Sequence, residues 1–151
     1  MLLTALIAVI LMGSAMCSGI EAALLAVNPL RVHELARRKP KVLGARRLEK
    51  LRHRIGRTLT VVTIANNSFN IFGSLMVGSY ASFIFQNRIG NVKPIFFIGL
   101  TILVLILGEI VPKALGTRLA LQISLTSAPV LDFLSIVMHP LLITVSIFLE
   151  V

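Results

Sequence analysis

Long apolar runs alternate along the chain with one strongly polar interval. Met1 to Leu30 carry a single charge, Glu21, and Thr58 to Asn87 carry none. Pro94 to Gly108 are uncharged, and Glu109 to Pro112 continue that segment. A helix of about 20 apolar residues crosses the hydrocarbon core of a bilayer, so these runs predict three membrane-crossing helices. A fourth apolar stretch, Leu119 to Leu149, contains Pro129, Asp132, His139 and Pro140. Hydropathy alone favours a span there, whereas its prolines predict interruptions. The first run lacks the basic start of a signal peptide, because its first positive residue is Arg31, and Met16 before Cys17 does not suit a lipoprotein cleavage site. It reads as a retained helix.

Composition sharpens this picture. Of 151 residues, 56% are hydrophobic and 14% charged, against about 25% charged in a soluble domain. Lipid is therefore the solvent expected for most of the chain. Disorder is excluded by the hydrophobicity, and a disulfide scaffold by the single cysteine, Cys17. The length predicts one domain over 1–151.

The net charge of +9 is local. Residues 31–57 hold eleven of the fifteen Lys and Arg and only two acids, Glu34 and Glu49. This cluster lies between two apolar runs and has no aromatic residue on which a base could stack, which argues against nucleic acid. It reads as a cytoplasmic loop under the positive-inside rule, attracted to anionic headgroups. The Arg88–Lys93 connection, with Gly90 and Asn91 as a turn, then faces outward, as does the N-terminus, and the third span returns to the cytoplasm at Lys113 and Arg118. Within the loop, Asn28–Pro29 predicts a helix start, and Pro40 and Gly44 predict a break. Leu48, Leu51 and Ile55 form an apolar stripe beside Arg46, Arg47, Lys50 and Arg54, the pattern of an amphipathic helix lying on a membrane surface.

Each span carries polar residues on one face, which mark a pathway or site when they lie in hydrocarbon. Ser14, Ser18 and Glu21 share a face of the first. Asn66, Asn70 and Ser74 stack at i, i+4 and i+8 in the second, with Thr63 and Asn67 beside them. The third ends in Gly108-Glu109-Ile110-Val111-Pro112-Lys113. Pro112 cannot donate to the carbonyl four residues earlier, which frees the Gly108 oxygen beside the Glu109 carboxylate. The set Ser18, Asn66, Asn70, Gly108 and Glu109 is all oxygen, suited to Mg²⁺ or Na⁺ rather than to zinc or copper. The same residues also suit close helix packing, interhelical hydrogen bonding and an i, i+4 pair of Glu109 with Lys113. His33 and His53 read as loop surface, and His139 as interfacial.

Three of these motifs resemble the CorC/CNNM family of magnesium transport proteins. Ser18-Gly19-Ile20-Glu21 is similar to its SGxE run, Asn66-Asn67-Ser68-Phe69-Asn70 to its GNxxxN run with Ala65 in place of the glycine, and Gly108–Lys113 to its GEIxPK signature. The resemblance implies an all-α membrane protein of three transmembrane helices plus juxtamembrane amphipathic helices, assembled as a homodimer. It implies an intramembrane Mg²⁺ held by Ser18, Asn66, Asn70, Gly108 and Glu109. No CBS pair follows Val151 in this sequence, so the expectation is a transmembrane module cut from a longer protein. The C-terminus is then cytoplasmic, and Leu119–Leu149 is juxtamembrane or re-entrant, broken at Pro129 and Pro140. The small residues Gly73, Ser74 and Gly78 of the second span suggest close helix approach at a two-fold interface.

The function expected is Mg²⁺ transport, as efflux coupled to Na⁺. The alternative is a magnesium-sensing scaffold that regulates another transporter. A membrane-embedded hydrolase is disfavoured, since no nucleophile–histidine pair or metalloprotease motif is present; the chain is not expected to be an enzyme.

Overall fold

The computed structural model describes residues 1–38, 44–84 and 92–138. The expected outer turn at Gly90–Asn91, the Pro40 interruption, and His139 and Pro140 lie outside them. Every regular element among the described residues is helical, with no strand: α1 (Leu2–Ala26), α2 (Pro29–Arg38), α3 (Ala45–His53), α4 (Ile55–Ile84), α5 (Val92–Leu103), a π-helical segment (Val104–Ile110), α6 (Val111–Arg118) and α7 (Ala120–Val137).

Local chemistry explains several of these boundaries. Proline disfavours helical backbone in the residue before it, and α1 ends just upstream of Pro29 with Val27 extended. Asn28 Oδ1 then accepts the Leu30 N–H at 2.9 Å, capping α2 with Pro29 in its first turn, as the sequence predicts. At the corner between α3 and α4, the Thr58 hydroxyl lies 3.1 Å from the carbonyls of both Leu51 and Arg54. Arg52 donates to the Leu24 carbonyl at 2.7 Å, satisfying an acceptor in the last turn of α1.

α1 and α4 run antiparallel side by side, from Glu21 beside Thr63 to Ile10 against Gly73. The α5–α6 segment runs parallel to α1, with Gly108 beside Ser14 and Gly116 against Gly19. Leu24, Val27, Val32, Leu48, Leu51, Val62, Ala128 and Leu131 form the hydrophobic core at the basic end, where α2, α3 and α7 collar the ends of α1 and α4. The stripe predicted for the basic loop is part of it: Ala45, Leu48 and Leu51 are the buried face of α3.

Elsewhere the usual burial pattern is inverted. Ser14 and Ser18 are fully buried and Asn66 nearly so, while Met12, Met16, Phe72, Leu75, Ile98 and Ile102 are exposed. Such a surface suits hydrocarbon, not water. The chain is an all-helical, multi-pass membrane protein.

Among the described residues, three helices are long and apolar enough to cross: Leu2–Ala26, Pro94–Arg118 and Ala120–Val137. α4 is not among them, although it has 30 residues, because Asn66, Asn67 and Asn70 lower its mean hydropathy. Packing orders the helices differently. α4 follows α1 along its length. α7 begins directly after α6 at the basic end; its first residues, Ala120 and Leu121, pack on the same core as Leu131. Farther along, Asp132 lies 3.9 Å from Arg47. Both ends of α7 therefore lie at one end of the bundle, and the helix runs across it. The break expected at Pro129 is not found: α7 continues through it. The ring leaves the Leu125 carbonyl without its helical donor, and Gly44 packs there. Gly44 has φ +86°, and a Cβ on it would run into the Leu125 oxygen.

Two outcomes follow from this packing. A Cβ on Gly116 would meet the Gly19 carbonyl, whereas one on Gly99 meets nothing within 4 Å. Gly116→Ala should cost roughly 1–3 kcal/mol through overpacking and lower the unfolding midpoint in detergent; Gly99→Ala should leave it unchanged or raise it. Equal behaviour of the two would show that the close crossing does not hold α6. Single cysteines at Arg118 and Ser135, in a Cys17→Ala background, should react with a membrane-impermeant maleimide from the same side of a sealed vesicle. Labelling from opposite sides would mean that α7 spans.

Candidate cation site

The site forms where α1, α4 and the third apolar segment meet. Its organising feature is the backbone before Pro112. From Val104 to Ile110 the helix widens to π geometry, and the Val111 N–H donates to Ile106, five residues back. Such bulges commonly mark functional positions. The widening accompanies the missing proline donor, and the Gly108 carbonyl, denied its α-helical donor by Pro112, faces α1, where the Ser14 hydroxyl lies 3.4 Å away. A Cβ on Gly108 would come within 3.3 Å of that hydroxyl oxygen, so glycine lets the two helices close around the carbonyl.

Ser14 Oγ is also 3.2 Å from Asn66 Oδ1. One hydroxyl proton cannot serve both acceptors at once, and both separations exceed the usual O–H···O range of about 2.5–3.0 Å. Three oxygens from three elements thus converge without satisfying one another. One turn along α4, Asn70 Nδ2 donates to Glu109 Oε1 at 3.1 Å. That bond occupies the donor end of the amide. Asn70 Oδ1 is buried with no partner, as is Ser18 Oγ one turn from Ser14 on α1. An unmet buried acceptor costs about 1–3 kcal/mol.

The sequence-derived residues therefore fall into two contact groups, Asn66 with Gly108 through Ser14, and Asn70 with Glu109. Ser18 is buried on the same face of α1 as Ser14. Ser14 is the participant that the sequence left divided between packing and binding; its i, i+4 spacing from Ser18 was the signal. Glu109 bonds Asn70, and no ion pair with Lys113 forms among the described residues. Lys113 instead lines a cleft of about 490 Å³ at the basic end with Glu21, Leu25 and Thr117. Glu21 accepts a hydrogen bond from Thr63 at 3.0 Å, a second polar tie between α1 and α4. On the other side of the site, a cleft of about 280 Å³ is lined by Ile7, Ile10, Val77, Phe97 and Val104 and reaches Asn70 and Glu109.

Gly73 and Gly78 serve contacts within the chain. A Cβ on Gly73 would strike Ile10, and Gly78 lies against Phe97. Of that small-residue set, Ser74 alone is exposed. No cluster of three or more His, Cys, Asp or Glu suited to a metal occurs among the described residues. A cation at this site would be held by one carboxylate and neutral oxygens.

Residues 5–151 match the family described as CNNM, the cyclin M transmembrane N-terminal domain. The UPF0053 protein sll1254 of Synechocystis sp. is 37% identical over 141 residues, covering 92% of this chain and 39% of the relative. The UPF0053 protein of Haemophilus influenzae is 32% identical over 136 residues, 89% of this chain and 31% of the relative. The UPF0053 inner membrane protein YfjD of Escherichia coli is 29% identical over 129 residues, 85% of this chain and 29% of the relative. The chain thus spans less than two-fifths of the length of each. With the SGxE, asparagine and GEIxPK runs brought together where α1, α4 and the third segment meet and the match extending over nearly all its residues, the chain belongs to the CNNM transmembrane-domain family, a transporter-like family of membrane proteins.

Proposed function

We propose that this domain binds Mg²⁺ between its three crossing segments and carries it across the membrane, as efflux coupled to Na⁺ influx. The observation that carries the reading is the two buried oxygens of this centre with no partner among the described residues, Ser18 Oγ and Asn70 Oδ1, in company with the Glu109 carboxylate and the Gly108 carbonyl; a third such atom, Ser124 Oγ, belongs to α7. An apolar bundle gains nothing from keeping such acceptors unmet unless something positive meets them. One carboxylate with neutral oxygens and retained waters is the kind of shell magnesium accepts. With Mg–O bonds of about 2.0–2.1 Å at right angles, adjacent ligands sit about 2.9 Å apart. The convergent oxygens, at 3.2 and 3.4 Å, would draw in by a few tenths of an ångström.

In this reading α1, α4 and the α5–α6 segment cross the membrane, the N-terminus lies outside, and the collar rests on the cytoplasmic headgroups. The polar cleft beside Glu21 is the cytoplasmic approach. The apolar cleft toward Phe97 is a closed outer gate, because a hydrated cation does not pass a constriction of that chemistry. α5 must move for the ion to leave. The domain works as a homodimer through the exposed apolar face of α4, which includes Ile71, Phe72, Leu75 and Met76. As part of longer relatives, it would move ions under the control of further domains.

Glu109→Gln should abolish Mg²⁺ binding in calorimetry while the fold is retained. Asn70→Ala should weaken it roughly 10–100-fold, as loss of a group that orients a ligand does. Wild-type affinity in folded Glu109→Gln would reject the site. Proteoliposomes containing only the purified protein should show Mg²⁺ flux; binding without flux would establish the scaffold instead. Pro112→Ala should let the π turn relax and withdraw the Gly108 carbonyl. Magnesium affinity should then fall, although the proline side chain is not a proposed ligand. Unchanged affinity, with the carbonyl still facing Ser14 in the variant structure, would show that the proline is not the cause.

A further inference from the structure

The collar holds a second concave site that the cation chemistry does not use. Lys50, His53, Arg54 and Arg57, from the corner between α3 and α4, face Asp132 and Ser135 of α7 across a cleft of about 770 Å³. Arg38 is engaged with Glu34, Arg52 with the Leu24 carbonyl and His33 with Glu49, while Arg31, Arg37 and Arg46 do not line this cleft. Lys50, Arg54 and Arg57 have no side-chain partner among the described residues. The one carboxylate in the cleft, Asp132, lies 3.9 Å from Arg47, which supplies its countercharge from outside. Three permanent cations thus line one concavity with little to offset them, and an anion is what relieves their repulsion.

The surroundings identify the kind of anion. Thr58 opens the uncharged run of α4, so the cleft sits at the boundary between the basic and apolar parts of the chain. Ile136, which is 68% exposed, forms part of the cleft wall. Phe133 and Val130, also exposed, continue from it along α7. A ligand seated here would meet cations at one end and an exposed apolar strip at the other. A free phosphate would use only the first.

We propose that this cleft is a binding site for the phosphodiester headgroup of an anionic phospholipid, whose acyl chain follows Ile136, Phe133 and Val130. Arg54 and Arg57 bind the phosphate oxygens, and Lys50 adds charge. The site pins the corner of α4 and the last turns of α7 to the same lipid. This rests on the reading of the collar as lying at headgroup level, and is independent of the bound cation.

Native mass spectrometry of the detergent-solubilised protein, with phosphatidylglycerol and phosphatidylcholine added in equal amounts, tests the proposal. The wild type should retain phosphatidylglycerol at least tenfold over phosphatidylcholine. Arg54→Gln with Arg57→Gln should lose the preference, Arg54→Lys with Arg57→Lys should largely keep it, and Arg31→Gln with Arg37→Gln, which removes equal charge from α2, should keep it fully. Equal loss in the two glutamine pairs would replace the site by diffuse attraction to the whole collar and overturn the proposal. So would an absence of preference in the wild type, or displacement of the lipid by equimolar glycerol phosphate, which would make the ligand a soluble phosphate. Maleimide labelling of Arg118→Cys and Ser135→Cys separates the two readings: labelling from one side with no lipid preference rejects the cleft alone, and labelling from opposite sides rejects the collar's placement.

Discussion

Lipid offers no hydrogen bonds, so a polar group carried into the bundle must be met by the chain itself or by something the chain binds. This constraint sets how α1, α4 and the third segment lie against one another. Thr63 meets Glu21, Ser14 lies between Asn66 and Gly108, and Asn70 meets Glu109. These contacts fix the antiparallel register of α1 and α4 more sharply than apolar packing can, because apolar side chains gain little by leaving lipid for one another. Close approach at Gly116 and Gly73 supplies the van der Waals contact that such packing requires. With the collar at the aqueous boundary, as proposed, the hydrophobic effect acts fully only there, on Leu24, Leu48 and Leu131 of its core; burying each from water stabilises by about 1.5–3 kcal/mol.

Two prolines in helices show how one covalent constraint acquires different uses. Pro112 and Pro129 each deprive a carbonyl four residues back of its donor. At Pro112 the helix widens into a π turn, and the Gly108 oxygen faces the buried polar centre. At Pro129 the helix continues, and the Leu125 oxygen is covered by Gly44, whose missing side chain lets the start of α3 settle against α7. The first exposes an acceptor to the inside of the bundle; the second seals a contact between two collar helices. Sequence predicts the orphaned carbonyl in both cases. Only the neighbouring helix decides what it meets.

That distinction marks how far the residues alone could be read. Asn28 and Pro29 act locally, and their predicted roles hold; the Leu48–Leu51–Ile55 stripe forms the predicted helix face, but that face packs into the chain's own core rather than lying open to a membrane surface. The polar faces of the three spans were legible as faces, since helical spacing fixes which side chains share a side. Spacing does not say which face opposes which, so the alternation of Ser14 between Asn66 and Gly108 stayed hidden, and Glu109 could be offered Lys113 as readily as Asn70. A hydropathy window fails for a related reason. It adds contributions along a helix without regard to direction, so it discounts α4 for Asn66 and Asn70, which face α1 and the third segment, and credits the exposed apolar side of α7 whichever way that helix runs. Gly73 and Gly78 suggested close approach between copies; at Gly73 the space is filled by Ile10 of the same chain, and at Gly78 Phe97 is only in ordinary contact.

The proposed cation path starts beside a segment of net charge +9, and this needs an electrostatic account. Arg57 and Asn70 are thirteen residues apart on one helix, about 20 Å at 1.5 Å per residue. Across that distance in water, two unit charges interact by only about 0.2 kcal/mol, and salt with a screening length of about 8 Å reduces this further. On the proposed placement the collar charges stand at the aqueous boundary, where such screening acts, and anionic headgroups would neutralise part of what remains. Glu109, half-buried and bonded to Asn70, is the one carboxylate among the oxygens of the proposed site. The collar can therefore be strongly basic, orienting the protein and holding lipid, while the interior of the same short chain remains a place for a cation.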